Sequence, residues 1–266
     1  MTSNTVSNSD SKPMPALNPY ERWGYIPKLI RFFELTDKEQ GEFDVGISKL
    51  LSDRSKIAKY AAQTCGELLL FNPGNSNPPI FWCFNNWSEP LLLARQLPES
   101  QPLFAAVSAH QVTNKWHLKR RFHEHLVSRY LETLEEHNLL HSSMVIGGNC
   151  QGGPIAESLA IRVKEKKGHQ PLLLTLDYVH RKQYDGPTFM MFGKYSSYNP
   201  FNSRIDPLPI WGKKTCDWGV GMLDETHGRY FREPALFELR DYIRFAAERY
   251  WAKGAFSQEL VECLSL

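Results

Sequence analysis

Residues 144–153, Met-Val-Ile-Gly-Gly-Asn-Cys-Gln-Gly-Gly, constrain this chain more than any other stretch. They read as a buried strand, a sharp turn carrying a thiol, and the start of a helix expected over residues 154–163. Gly148-x-Cys150-x-Gly152 is the G-x-S-x-G nucleophile elbow with cysteine in the serine's place. Glycine two residues either side lets strand and helix pack closely around a strained turn. Such a turn sets the side chain on a helix N-terminus, whose unpaired N–H groups and dipole favour a thiolate. The plainer alternative is a small buried cysteine in a glycine-rich turn.

A chain of 266 residues with 42% hydrophobic side chains suits one sizeable α/β domain. Its 31 basic and 29 acidic residues leave a net charge of +2, which gives no reason to expect a nucleic-acid or anionic-membrane partner. No apolar run is long enough to span a bilayer, and the first residues lack a signal-peptide layout. Cys65, Cys83, Cys150, Cys216 and Cys263 are odd in number and scattered, with no CxxC pair. That pattern argues against a disulfide framework or a zinc knuckle and for a reducing, cytoplasmic setting.

Residues 1–17 are Ser/Asn/Thr/Pro-rich and are expected to be disordered, with a single domain over 18–266. Within it, 18–65 reads as a helical extension, one helix opening at Thr36-Asp37-Lys38-Glu39 and another capped near Ser52 and running to about Gln63. Strands are expected at 67–71, 80–84, 102–107, 171–176 and 188–192, and helices at 90–96, 116–137 and 234–251. Strands that are nearly all apolar and alternate with helices describe an α/β fold, a mostly parallel sheet with helices on both faces.

A thiol nucleophile needs a base, and the base needs a carboxylate to orient it. Asp177 ends an apolar strand, where catalytic groups of open α/β sheets collect. His227 sits in a polar loop ahead of the last helix and is the leading base. Asp217 and Asp224 are rival acids and Asp206 a weaker one, while a capping role for Asp177 and a solvated His227 are the bland alternatives. His123 and His125 are two residues apart on a helix and face different directions, so no joint metal site is expected, and no metal elsewhere. Tyr178 and His180, close after Asp177, are candidates to line the site.

With these residues in place, the chain resembles the thioesterases of nonribosomal peptide and polyketide assembly lines, members of the α/β-hydrolase superfamily, over about residues 68–244. The resemblance rests on Leu69-Leu70-Phe71-Asn72-Pro73-Gly74, Pro78-Pro79-Ile80-Phe81, Ala94-Arg95-Gln96-Leu97, the elbow, the position of Asp177, and His227 ahead of Arg232-Glu233-Pro234. It implies an α/β-hydrolase fold with a Cys150–His227–Asp177 triad, and a carrier protein as the partner that delivers substrate on phosphopantetheine, with no cofactor bound by this chain. Two departures stand out. The family's oxyanion loop reads His-Pro-x-Gly-Gly, but here it is Phe84-Asn85-Asn86-Trp87-Ser88. One oxyanion donor is then expected from the N–H of Gln151 and a second from the N–H of Asn85 or Asn86, with an Asn side-chain amide as the alternative. Trp87 either walls the acyl pocket or fills the core below the loop. The second departure is a reduced lid, because residues 178–186 are too few for a lid helix. The loop 194–208 or the helices of 18–65 could cover the site instead.

Cysteine makes the covalent intermediate a thioester, close in free energy to the one that arrives, so transfer is reversible. An acyl or aminoacyl shuttle passing its cargo to a second thiol or an amine is therefore the first reading. A hydrolytic editing or release thioesterase is the second, and a non-catalytic α/β-hydrolase-like binding protein the third. His227 and the helix N-terminus are expected to lower the Cys150 pKa.

Overall fold

The computed structural model describes residues 35–256, apart from 75, 205 and 216, and residues 259–261. The chain divides into Met1–Glu34 and Leu35–Leu266, and the account below is of the second unit. The expected disordered tail over 1–17 and the beginning of the expected helical extension lie outside the described residues.

The first described helix, α1 (Asp37–Ala58), opens with a reciprocal capping box between Thr36 and Glu39. It runs through Ser52 without a break, so one helix replaces the two expected. Ser55 donates its hydroxyl to the Leu51 carbonyl, one turn back, rather than starting a new helix. Past Ala58 the chain turns over residues 59–62 and then forms β1 (Gln63–Cys65), a short edge strand antiparallel to β2 (Leu68–Phe71), where the second expected helix would end.

From there strands and helices alternate: β3 (Ile80–Phe84), α2 (Glu89–Ala94), β4 (Leu103–Val107), α3 (Trp116–Glu136) and β5 (Val145–Asn149). Next come α4 (Gly153–Lys167), β6 (Leu172–Leu176), β7 (Thr188–Gly193), the short α5 (Leu208–Trp211), β8 (Trp218–Leu223), α6 (Ala235–Lys253) and β9 (Glu259–Val261). The strands form one sheet in the order β1-β2-β4-β3-β5-β6-β7-β8-β9. Only β1–β2 and β2–β4 pair antiparallel; every later pairing is parallel.

The central strands explain that topology. Every residue of β3, β4, β5, β6 and β7 is buried, as a parallel sheet covered on both faces requires. Trp82, Phe84, Leu174, Met191 and Leu239 belong to one apolar cluster, and on the opposite side Phe81 meets Tyr130 of α3 at 5.8 Å between ring centres. Strand β3 has β4 on one side and β5 on the other, so the chain reverses direction across the sheet there. Crevices of open α/β sheets form at such a point, outside the C-terminal strand ends.

Register then fixes which residues meet in the crevice. Cys83 pairs with Gly148, and Asn149 with Leu176. Two residues past Cys83, one past Asn149 and one past Leu176, the residues Asn85, Cys150 and Asp177 emerge from adjoining strands at one level. No helix among the described residues is long and apolar enough to cross a membrane.

Candidate active site

Strand β5 ends at Asn149, and a single 3₁₀ turn, Cys150–Gly152, leads into α4. Cys150 holds φ at +46°, a left-handed conformation that a non-glycine residue adopts at a cost of about 1–3 kcal/mol. The two elbow glycines make the turn sterically possible. A Cβ on Gly148 would stand 2.5 Å from the Gly152 carbonyl oxygen, and one on Gly152 would stand 1.9 Å from that of Cys83. Behind the turn, the Trp82 indole donates to Asn149 Oδ1 at 3.0 Å and braces the end of β5 against β3.

Asp177 follows β6, also with positive φ (+49°), and its side chain is completely buried. Its Oδ2 accepts from Ser196 Oγ at 2.7 Å and from the Tyr230 hydroxyl, while Oδ1 accepts from the Gly193 N–H at 3.2 Å. The same Oδ2 lies 2.7 Å from His227 Nδ1. His227 comes from the loop after β8, and both its ring nitrogens stand close to Cys150 Sγ, Nδ1 at 3.7 Å and Nε2 at 3.8 Å. Thiol, imidazole and carboxylate therefore meet in one cluster, with the carboxylate buried and the imidazole in the cleft. The rival acids are engaged elsewhere. Asp217 accepts from the Phe256 N–H, Asp224 pairs with Lys194, and Asp206 caps the Leu208 N–H.

Burial pushes the Cys150 thiol up to about 12, and the carboxylates of Asp177 and Glu89 push the same way. A hydrogen bond from the Asn85 side chain works against the rise without offsetting it. This corrects the expectation of a lowered value: desolvation in the crevice outweighs the stabilisation of a thiolate at the helix N-terminus. Cys150 rests as the thiol, and its proton must leave as the sulfur attacks.

The donor atoms of Cys150, Asp177 and His227 all lie within 4.8 Å of one another, close enough for one metal ion. An ion would compete for Asp177 Oδ2, on which His227, Ser196 and Tyr230 already converge. A carboxylate oxygen with that many partners has little capacity left for a metal.

The oxyanion loop does not turn the Asn85 N–H to the cleft, which leaves the side-chain alternative open. The Gln151 N–H is in place beside the thiol but donates to Asn85 Oδ1 at 3.1 Å. The Asn85 N–H turns away and donates to Glu89 Oε2 at 3.0 Å. Asn86 donates its side-chain amide to Glu89 Oε1 at 2.8 Å and accepts from the Ser88 N–H, so it braces the loop and does not line the cleft. Burial pushes the Glu89 carboxyl up to about 7. Nothing in the sequence marked Glu89, whose importance lies in three donors that only the fold brings to it.

Of the expected pocket residues, Tyr178 lines the cleft with its ring against Gly153, while its hydroxyl donates to Glu157 at 2.8 Å. His180 does not line it. It is 2% exposed, and its Nδ1 lies 3.2 Å from Glu157 Oε1 behind the wall. Trp87 is buried in the core below the loop, with Arg54 over its ring at 5.8 Å. It fills rather than walls the site. Of the two expected covers, α1 contributes no residue to the cleft, whereas the loop after β7 sends Tyr198 over His227 at 4.5 Å between ring centres. The cleft holds about 860 Å³, and its rim includes Lys119 and Arg120 of α3 and Arg181 and Lys182 of the loop after Asp177.

No family model and no curated protein matches the chain. Among solved structures it is similar to the Vlm2 thioesterase domain bound with a dodecadepsipeptide, at TM-score 0.51 and 13% identity, covering 68% of this chain and 98% of that one. It is also similar to the NocB thioesterase domain from the nocardicin cluster, at TM-score 0.51 and 15% identity, covering 68% of this chain and 99% of that one. A third is a variant of YbtT, a type II thioesterase from the yersiniabactin NRPS/PKS pathway, at TM-score 0.52 and 11% identity, covering 69% of this chain and 98% of that one. At such identities the likeness is one of architecture, and together with the strand order it gives this chain the α/β-hydrolase fold of those thioesterases.

Proposed function

We propose that the protein is a thioesterase-like acyltransferase that takes an acyl or aminoacyl group from the phosphopantetheine arm of a carrier protein onto Cys150 and passes it to a second thiol or an amine. The observation that carries this reading is the relay itself: a strained elbow thiol 3.8 Å from His227 Nε2, with His227 Nδ1 held at 2.7 Å by a buried carboxylate. A merely structural cysteine needs neither the strain nor the oriented base.

In the first half-reaction His227 Nε2 takes the thiol proton while Sγ bonds to the thioester carbon, and the carbonyl electron pair moves to oxygen. Collapse breaks the carbon–sulfur bond to pantetheine, and the proton passes from His227 to the departing thiolate. A new thioester on Cys150 and a free pantetheine thiol result. In the second half an acceptor thiol or amine gives its proton to His227, attacks the same carbon and restores the Cys150 thiol. Thioester exchanged for thioester is nearly balanced in free energy, which supports transfer over one-way release. The cations at the rim, Lys119, Arg120, Arg181 and Lys182, suit the phosphate of the arm.

Hydrolysis is the second reading, favoured by a cleft open enough to admit water to the same acyl-enzyme. Intact mass after mixing with an acyl-phosphopantetheine carrier separates the possibilities. Transfer predicts one acyl group on Cys150, absent in Cys150→Ala, that leaves faster when a thiol or amine acceptor is added. Decay to free acid at one rate, with or without acceptor, makes the protein a hydrolase. No adduct at all makes it a binding protein.

A further inference from the structure

An acyl-transfer site of this kind needs two N–H groups aimed at the oxygen that becomes negative. The loop after β3 removes the usual second one. Glu89, the first residue of α2, turns its carboxylate back under the loop and accepts from the Asn85 N–H at 3.0 Å, from Asn86 Nδ2 at 2.8 Å and from Asn149 Nδ2 at 3.2 Å. The Asn85 N–H is thus engaged away from the cleft.

The side chain is a different matter. Its Oδ1 accepts from the Gln151 N–H at 3.1 Å, and the side chain lines the same cleft as Cys150, where it works against the burial-driven rise of the thiol. One side-chain amide therefore occupies the first oxyanion donor in the cleft that holds the nucleophile. A carbonyl oxygen arriving on the Gln151 N–H must displace Asn85 Oδ1. Rotation about the last side-chain bond then aims Nδ2 at that oxygen while the Asn85 N–H stays fixed by Glu89.

We propose that the Asn85 side-chain amide, and not a loop backbone N–H, is the second oxyanion donor, that it stoppers the Gln151 N–H when no acyl group is bound, and that Glu89 is the positioning residue that holds it there. The inference rests on the acyl-transfer reading above. It also explains why this loop needs no glycines. A side-chain donor lets the backbone follow the path that Glu89 dictates.

The test compares two reactions of the same thiol. Acylation by an acyl-phosphopantetheine thioester builds an oxyanion, whereas alkylation by iodoacetamide does not. Asn85→Ala is expected to slow acylation of Cys150 about 100-fold, the usual scale for losing one such donor, while alkylation changes less than about tenfold. Asn85→Asp keeps an acceptor on Gln151 but has no donor, and should acylate at least as slowly. Glu89→Ala should show the same split in milder form, with a thermal melt checking that it folds. Acylation of Asn85→Ala at the parent rate, or an equal loss in both reactions, overturns the inference and leaves the acyl-transfer reading standing. A parent protein that forms no acyl adduct overturns both.

Discussion

Among the described residues two buried carboxylates each hold a histidine, Asp177 with His227 and Glu157 with His180, and the pairs have opposite fates. In the first, the carboxylate side chain is fully buried but the imidazole is 36% exposed and faces a thiol. In the second, both side chains are sealed, at 1% and 2% exposure, and the imidazole does not line the cleft. Glu157 instead gathers Tyr178, His180 and the N–H groups of Arg181 and Lys182, and so staples the short loop after Asp177 onto α4. The chemical pair is the same. A wet end and a reacting partner turn one into a relay, and a closed shell turns the other into a clamp.

The largest effect that can break this comparison is on the relay. Asp177→Asn should lower acylation of Cys150 by roughly 10³-fold or more, because the imidazole loses both its orientation and the charge that stabilises its protonated form. Glu157→Gln should leave acylation within about tenfold, measured in the same rapid-mixing assay. If the two substitutions act alike, the distinction fails.

Alkylation of Cys150 gives the next largest change. Because burial holds the thiol near about 12, the iodoacetamide rate should climb about tenfold per pH unit from 7 to 10, with no plateau. A plateau below pH 8 would mean a preformed thiolate and a different first step.

The clamp should show itself in stability. Burial opposes the Glu157 charge, but His180, the Lys182 N–H and Tyr178 outweigh it and hold the carboxyl below its ordinary 4.5. A lowered acid contributes stability that is present above that value and lost as pH falls below it. Glu157→Gln should lower the melting temperature by several degrees near pH 7 and flatten the acid limb. Removing one member of a buried network costs about 3–5 kcal/mol.

Glu89 should give the smallest effect, with the opposite sign. Its carboxyl is raised from 4.5 to about 7, so its contribution is full below 4.5 and is lost as pH rises through 7. Melting temperature against pH for Glu89→Gln should lack that decline.

The relay was largely legible in the sequence, because an elbow with glycines at fixed spacing, an acid ending an apolar strand and a loop histidine follow from local patterns. The clamp was not. Glu157 sits in the elbow helix like any helical glutamate, and its partners lie more than twenty residues away. Likewise the apolar strands β3 and β6 announced themselves, whereas β8 did not. Two of its positions are Gly219, under the Phe189 ring, and Gly221, under Tyr242, where packing replaces the side chains that make a strand readable. The oxyanion loop was legible only as a departure. That Asn85 would point its side chain, and not its N–H, into the cleft depends on where Glu89 turns, and no spacing rule carries that.

The central claim is that Asp177 and His227 make Cys150 a nucleophile toward thioesters. Intact mass of the parent and of Asp177→Asn, quenched seconds after mixing with an acyl-phosphopantetheine carrier, tests it most directly. The account predicts one acyl group on Cys150 of the parent and essentially none on the variant. An unmodified parent, or equal labelling of both, would contradict it.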